Sequence, residues 1–205
     1  MARRSIHPAL LLALAVSPLA TAPGRSQPAA APARPPLVFE DESLSERDRA
    51  QLESTARMVA RWAMVQRVVA AVVTQNADPP AAARIAEIDR QWQAGAGVGG
   101  LADALLSNEC AQALQAVIAA NPGFDGAFVT DQQGALVCAT QRPALYFYGE
   151  QDGWRRAYAD GAGAIFVASP SDEPGSDVRV QPISVPVRAG GRTVGVLVVR
   201  RLADG

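Results

Sequence analysis

The stretch Ala127–Thr140, AFVTDQQGALVCAT, sets two apolar runs back to back across Asp-Gln-Gln-Gly. Apolar runs on either side of a short turn that ends in glycine spell a β-hairpin. The segments before it carry helical periodicity, so the hairpin marks where the chain changes from helix to sheet. Downstream, Ala164–Ala168, Val178–Val187 and Thr193–Arg200 are three further strand-like runs, the last two joined by Ala189-Gly190-Gly191. Helices first and five strands later predict an α+β domain, its helices packed on one face of a five-stranded antiparallel sheet.

Upstream of the hairpin, Ser43 and Glu46 fit a capping box that opens a long helix. Leu52, Ala56, Val59, Trp62 or Ala63, Val69 and Val73 recur at helical spacing, with Arg57, Arg61 and Arg67 between them. Such a helix serves either as a signalling or dimer-forming surface or as an ordinary cover for the sheet. Asp78, followed by Pro79 and Pro80, starts a second helix that runs to Gly95. Leu101–Ala120 carries a third, with Leu106, Cys110, Leu114 and Val117 or Ile118 on one face and Asn121-Pro122-Gly123 closing it.

The N-terminus reads as a targeting signal. Arg3 and Arg4, the apolar run Ala9–Val16 and the small residues Ala20-Thr21-Ala22 form a signal-peptide pattern over residues 1–26. The run is far short of the ~20 apolar residues of a spanning helix. The expectation is a periplasmic or secreted protein whose mature chain starts between Pro23 and Gln27. Residues 27–42, rich in proline and alanine at their start, predict an extended linker, which leaves residues 43–203 as one domain.

Cleavage would remove His7, the only histidine. A Ser-His-Asp or Cys-His nucleophile and a His-bound metal then have no residue to build on. No catalytic residue, metal site or cofactor is expected, and the chain is not read as an enzyme. The acidic cluster Glu40-Asp41-Glu42 reads as a solvated helix approach, and Asp172, Glu173 and Asp177 share a turn without the order of a calcium loop. The 19 basic residues, all arginine, are scattered against 20 acidic ones, and nothing forms a track for a nucleic-acid backbone.

Between the second and third strands, Gln141–Gly163 holds all three tyrosines, Tyr146, Tyr148 and Tyr158, together with Phe147 and Trp154. Connections of this length in compact domains usually bind something. The rings either plug the open face of the sheet or wall a pocket to which Arg142, Arg155, Arg156 and Ser184 add polar groups. Cys110 lies on the apolar face of the third helix and Cys138 in the second strand. Export favours a disulfide between them, with two buried free thiols as the alternative.

In this order, FVTDQQGALVCAT, GWRRAYADGAGAIFV and ISVPVRAGGRTVGVLVV resemble the Cache superfamily of extracytoplasmic sensor domains, the PhoQ/DcuS/CitA-like group with a PAS-like fold. The resemblance covers roughly Ser54–Leu202. It implies a small molecule, often an amino acid or a carboxylate, held between the sheet and the loop after its second strand. By the same resemblance Tyr146, Tyr148, Trp154, Arg155 and Tyr158 form pocket wall and Ser184 is a strand contact. Amino-acid-binding members carry a Tyr, Arg, Trp, Tyr series in one loop and an Asp farther on; here Trp154 precedes Arg155, so the ligand is not readable from the series. Family members usually sit between membrane helices and drive a cytoplasmic output, whereas this sequence closes on VLVVRRLADG, and the expectation is a domain without its own transmitter. The partners expected beside a small-molecule ligand are a membrane receptor or a second copy of the chain, the homodimer forming through the first helix. Two functions follow: an exported solute-binding domain of sensor type, or an extracytoplasmic protein-interaction module whose pocket is filled by its own side chains.

Overall fold

The computed structural model describes residues 34–95, 98–172 and 177–203. The signal-peptide pattern, His7 and Glu173 lie outside the described residues.

One sheet organises the domain. Its strands are β1 (Leu37–Phe39), β2 (Phe124–Thr130), β3 (Leu136–Ala139), β4 (Ile165–Val167), β5 (Ser171–Asp172), β6 (Arg179–Ala189) and β7 (Arg192–Leu202). They are ordered β1-β4-β6-β7-β2-β3, with β5 paired to β6. The five strands read from the sequence are all present. The sheet is nevertheless not purely antiparallel, because β1 runs parallel to β4 with Leu37 opposite Ile165. The linker expected over residues 27–42 is therefore ordered at Leu37–Phe39, where LVF supplies an apolar edge that the proline-rich stretch before it lacks.

At the hairpin, Asp131 Oδ1 accepts from the amides of Gln133 and Ala135 at 2.8 and 3.0 Å, an Asx-type closure of the turn. Gly134 sits at φ 92°, and a Cβ there would lie 2.3 Å from the Gly149 nitrogen. The turn thus requires glycine both for its left-handed backbone and for the loop that crosses it.

The helices are α1 (Glu46–Trp62), α2 (Gln66–Ala77), α3 (Ala82–Gln93), α4 (Leu101–Ser107), α5 (Glu109–Ala119) and α6 (Asp152–Tyr158). The single long first helix is in fact two. Leu52, Ala56, Val59 and Ala63 are buried in sequence, then Val68 and Val72. The step of five from Ala63 to Val68 would carry an unbroken helix about 140° off its apolar face, at 100° per residue. The break at Ala63–Val65 restores that face to the sheet, and the buried pair is Val68 and Val72 rather than Val69 and Val73. The capping residue is Ser45, whose Oγ accepts from the Asp48 amide, while Ser43 turns back to Asp41.

Similar shifts occur farther on. Asp78 ends α2 instead of opening the next helix, which begins at Ala82 after the two prolines. The third helix of the sequence reading is divided at Asn108, whose Oδ1 accepts from the Ala111 amide while its Nδ2 donates to the Val137 carbonyl at 3.0 Å. Leu105 rather than Leu106 is the buried residue of α4.

Because side chains alternate along a strand, the sheet sorts its residues into two cores. Val129, Ile165, Ile183, Val185, Leu197 and Val199 face α1, α2 and α5. Phe128, Phe166, Val196 and Val198 face the other way, toward α3, α4 and α6. Helices therefore cover both faces, not one. Cys110 of α5 and Cys138 of β3 are joined in a disulfide, Cα to Cα 5.9 Å, which ties a helix of the first layer to the strand beneath it.

Candidate functional site

The second face is incompletely filled. A cavity of about 350 Å³ remains between the sheet, the loop after β3 and the first turn of α6. Its floor follows from strand register. Ser184 is opposite Phe166 on β4 and opposite Val198 on β7, and Val198 is opposite Phe128 on β2. Four neighbouring strands thus present Phe166, Ser184, Val198 and Phe128 in one row beneath the cavity. Pro182 and Arg200, also opposite each other, form the next row.

Within that apolar floor Ser184 supplies the one hydroxyl. It is 2% exposed, and among the described residues its Oγ has no hydrogen-bond partner. Gly153 lies directly above: a Cβ on it would come 3.3 Å from Ser184 Oγ. The absent side chain is what leaves room over the hydroxyl.

The roof comes from Pro143, Ala144 and Tyr148 of the loop and from Asp152, Gly153 and Trp154 of α6. Trp154 is fixed by its indole N–H, which donates to Thr130 Oγ1 at 2.8 Å. Tyr148 packs on Phe128, centroids 4.3 Å apart. Burial pushes the Tyr148 phenol up to about 12. Charged groups are confined to the rim. Arg200 makes a two-pronged pair with Asp125 at 3.1 and 2.7 Å, and Arg142 donates to the Trp92 carbonyl at 3.0 Å while lying over the Trp92 ring. Opposite signs are supplied by Glu40 and Asp152.

Of the residues singled out in the sequence, Arg142, Tyr148, Trp154 and Ser184 line this cavity together. Tyr158 stacks on Trp154 at 4.7 Å and 14° without reaching the lining. Tyr146 is buried against Trp92, centroids 6.0 Å apart, also off the cavity. Arg155 projects outward, its Nε donating to the Gly149 carbonyl at 3.4 Å. Arg156 lies over Phe166 and pairs with Asp152 at 3.6 Å. Among lining residues missed in the sequence, Phe128, Phe166, Pro182, Val198 and Arg200 share a face with Ser184, and strand alternation combined with the correct pairing register would have found them. The lining residue Glu40 had no such signal.

No family model matches the chain, and no curated protein matches it. Solved structures do. The chain is similar to the ligand-binding domain of the Campylobacter jejuni chemoreceptor Tlp3 in complex with 4-methylisoleucine, at 14% identity and TM-score 0.38, over 78% of this chain and 64% of that one. It is similar to the ligand-binding domain of the Pseudomonas aeruginosa amino acid chemoreceptor PctC in complex with GABA, at 19% identity and TM-score 0.36, over 78% and 62%. A third is the sensor domain of the V. cholerae histidine kinase DctB, at 20% identity and TM-score 0.32, over 76% and 57%. The chain spans less than two thirds of the length of each. Among the described residues, no helix is long and apolar enough to cross a membrane.

Proposed function

We propose that this chain is an exported small-molecule-binding domain of sensor type, which holds a solute between the sheet and the loop Gln141–Gly163 and reports occupancy to a membrane receptor or to a second copy through α1. The observation that carries the reading is the cavity over Ser184. Its volume of about 350 Å³ is within the range of small-molecule pockets. It combines apolar walls, one buried hydroxyl without a partner and a charged rim, the usual division of labour between affinity and orientation.

With Arg155 pointing away, a solute carboxylate would be met at the rim, by Arg142 and Arg200, and an ammonium by Glu40 or Asp152. A small amino acid or carboxylate suits that arrangement. Trp154, Tyr148 and Ser184 are the residues proposed to touch it, and Tyr158 supports Trp154 from behind. The second reading, an interaction module with a self-filled pocket, draws on the ring pairs Phe128–Tyr148 and Trp154–Tyr158, which already satisfy one another.

A thermal-shift screen of amino acids, dicarboxylates, purines and amines on the mature protein separates the two. A solute present at a hundred times its Kd stabilises the folded state by about 2.7 kcal/mol, a shift on the order of 5 to 10 °C for a domain of this size. That shift should be lost on Ser184→Leu, which fills the floor. A broad library without a hit supports the interaction module.

A further inference from the structure

The part of the roof that comes from the loop, Pro143–Tyr148, is irregular chain, and its backbone groups lack the partners that a helix or strand of their own would supply. On one side it is held by the hairpin: the Leu136 amide donates to the Tyr146 carbonyl at 3.0 Å, and the Tyr148 amide to the Gly134 carbonyl at 2.8 Å. On the other side, among the described residues, it is held by α3 alone. Asp89 Oδ1 accepts from two consecutive amides, Tyr146 at 2.9 Å and Phe147 at 3.0 Å. One turn on, the Trp92 indole donates to the Pro143 carbonyl at 2.8 Å, and the Trp92 carbonyl accepts from Arg142 at 3.0 Å.

These bonds run in one direction only. Among the described residues, and apart from the backbone bonds to Ala81, Ala94 and Gly95 that cap its two ends, every hydrogen bond that leaves α3 goes to residues 142–147. The buried residues Ile85, Ile88 and Trp92 lie in the same cluster as Tyr146 and Trp154. Among the described residues the helix thus has no other polar attachment beyond its own end caps, and the loop has no other support on that side.

We propose that α3 is the latch of the pocket roof, with Asp89 and Trp92 as positioning residues that set how often the roof opens although neither touches the cavity. The inference rests on the cavity being the solute site. Asp89 is suited to the role because an ionised carboxylate makes stronger bonds to backbone amides than a neutral acceptor does. A single side chain here fixes the loop between Pro143, which lines the cavity, and Tyr148, which roofs it.

The test uses the floor as reporter. Both native cysteines are bonded to each other, so Ser184→Cys in the full mature chain places one free thiol under the roof. Its reaction rate with methyl methanethiosulfonate reads roof opening directly, with no solute needed. Adding Asp89→Ala should raise that rate at least about tenfold, the loss expected for bonds to a charged group, with the melting temperature lowered by about 3 to 5 °C for each tenfold. Asp89→Asn keeps an oxygen that both amides can reach and should restore most of the protection. Trp92→Phe, which keeps the ring and loses the bond to Pro143, should also raise the rate and decides the matter if Asp89→Ala does not fold. Glu87→Ala, on the same helix but bonded only within it, should leave the rate unchanged. Equal rates in the parent, Asp89→Ala and Trp92→Phe, or an equal rise with Glu87→Ala, would overturn the latch. A solute screen without hits would remove the proposed function and leave these rates to judge the latch separately.

Discussion

Trp154 of α6 donates its indole N–H to Thr130 Oγ1 of β2 at 2.8 Å, and the same hydroxyl donates to the Val196 carbonyl at 3.3 Å. One buried threonine thereby seats the helix that roofs the cavity. Thr130→Val keeps the shape and leaves the indole N–H without an acceptor. The expected cost is about 1 to 3 kcal/mol in urea denaturation. A loss below this range would show that the indole N–H finds water through the cavity.

The Cys110–Cys138 bridge closes a loop with a sequence separation of 28 residues. Restricting the unfolded chain by a loop of that length stabilises the fold by roughly 3 to 4 kcal/mol. Intact mass under denaturing, non-reducing conditions should show no free thiol. The double variant Cys110→Ala, Cys138→Ala should lose stability on that scale. An unchanged denaturation midpoint would mean that the linked residues, α5 and β3, are held together by packing alone.

The strands were legible because Ala127–Thr130 and Thr193–Arg200 are short apolar runs bounded by glycine turns, a strictly local signal. Helix breaks were less so, since neither proline nor glycine marks Ala63–Val65; only the five-residue step in burial does, and burial depends on the sheet. The site was legible in part for the same reason. Trp154 and Tyr158 are four apart and share a helix face, which a pattern reveals. Arg155 follows Trp154 by one position, about 100° around the helix, and so leaves the pocket that Trp154 enters. Asp89 is 57 residues from the amide it holds, and nothing near it in sequence announces that partner.

Burial raises the phenols of both Tyr148, to about 12, and Tyr146, where the charge of Asp131 adds to the effect. The ordinary value is 10. The folded state therefore keeps protons that the unfolded chain gives up above that pH. Stability from this source is complete below pH 10 and falls as the pH rises toward 12. For Tyr148 the loss is on the order of 3 kcal/mol. Phenolate absorbance followed alongside denaturation checks it. If both buried phenols ionise at their ordinary value with the fold intact, the roof is more open to water than its packing indicates.

Gly153 offers a way to separate stability from binding at one position. It lies in the first turn of α6, and an added methyl would come 3.3 Å from Ser184 Oγ and 3.8 Å from Phe166 Cδ1. Alanine favours a helix over glycine by roughly 0.5 to 1 kcal/mol, and the serine hydroxyl can rotate away, so Gly153→Ala should hold or raise the melting temperature. The same methyl occupies the space above the one buried hydroxyl of the floor. Any solute seated on Ser184 should then bind more weakly, and its thermal shift should shrink while the unliganded protein gains. Should the shift survive in full, the solute lies elsewhere in the cavity, toward Arg142 and the rim. Should the unliganded protein melt much earlier, Gly153 serves the close approach of α6 to β6, and the room above Ser184 is a consequence of packing rather than a place for a ligand.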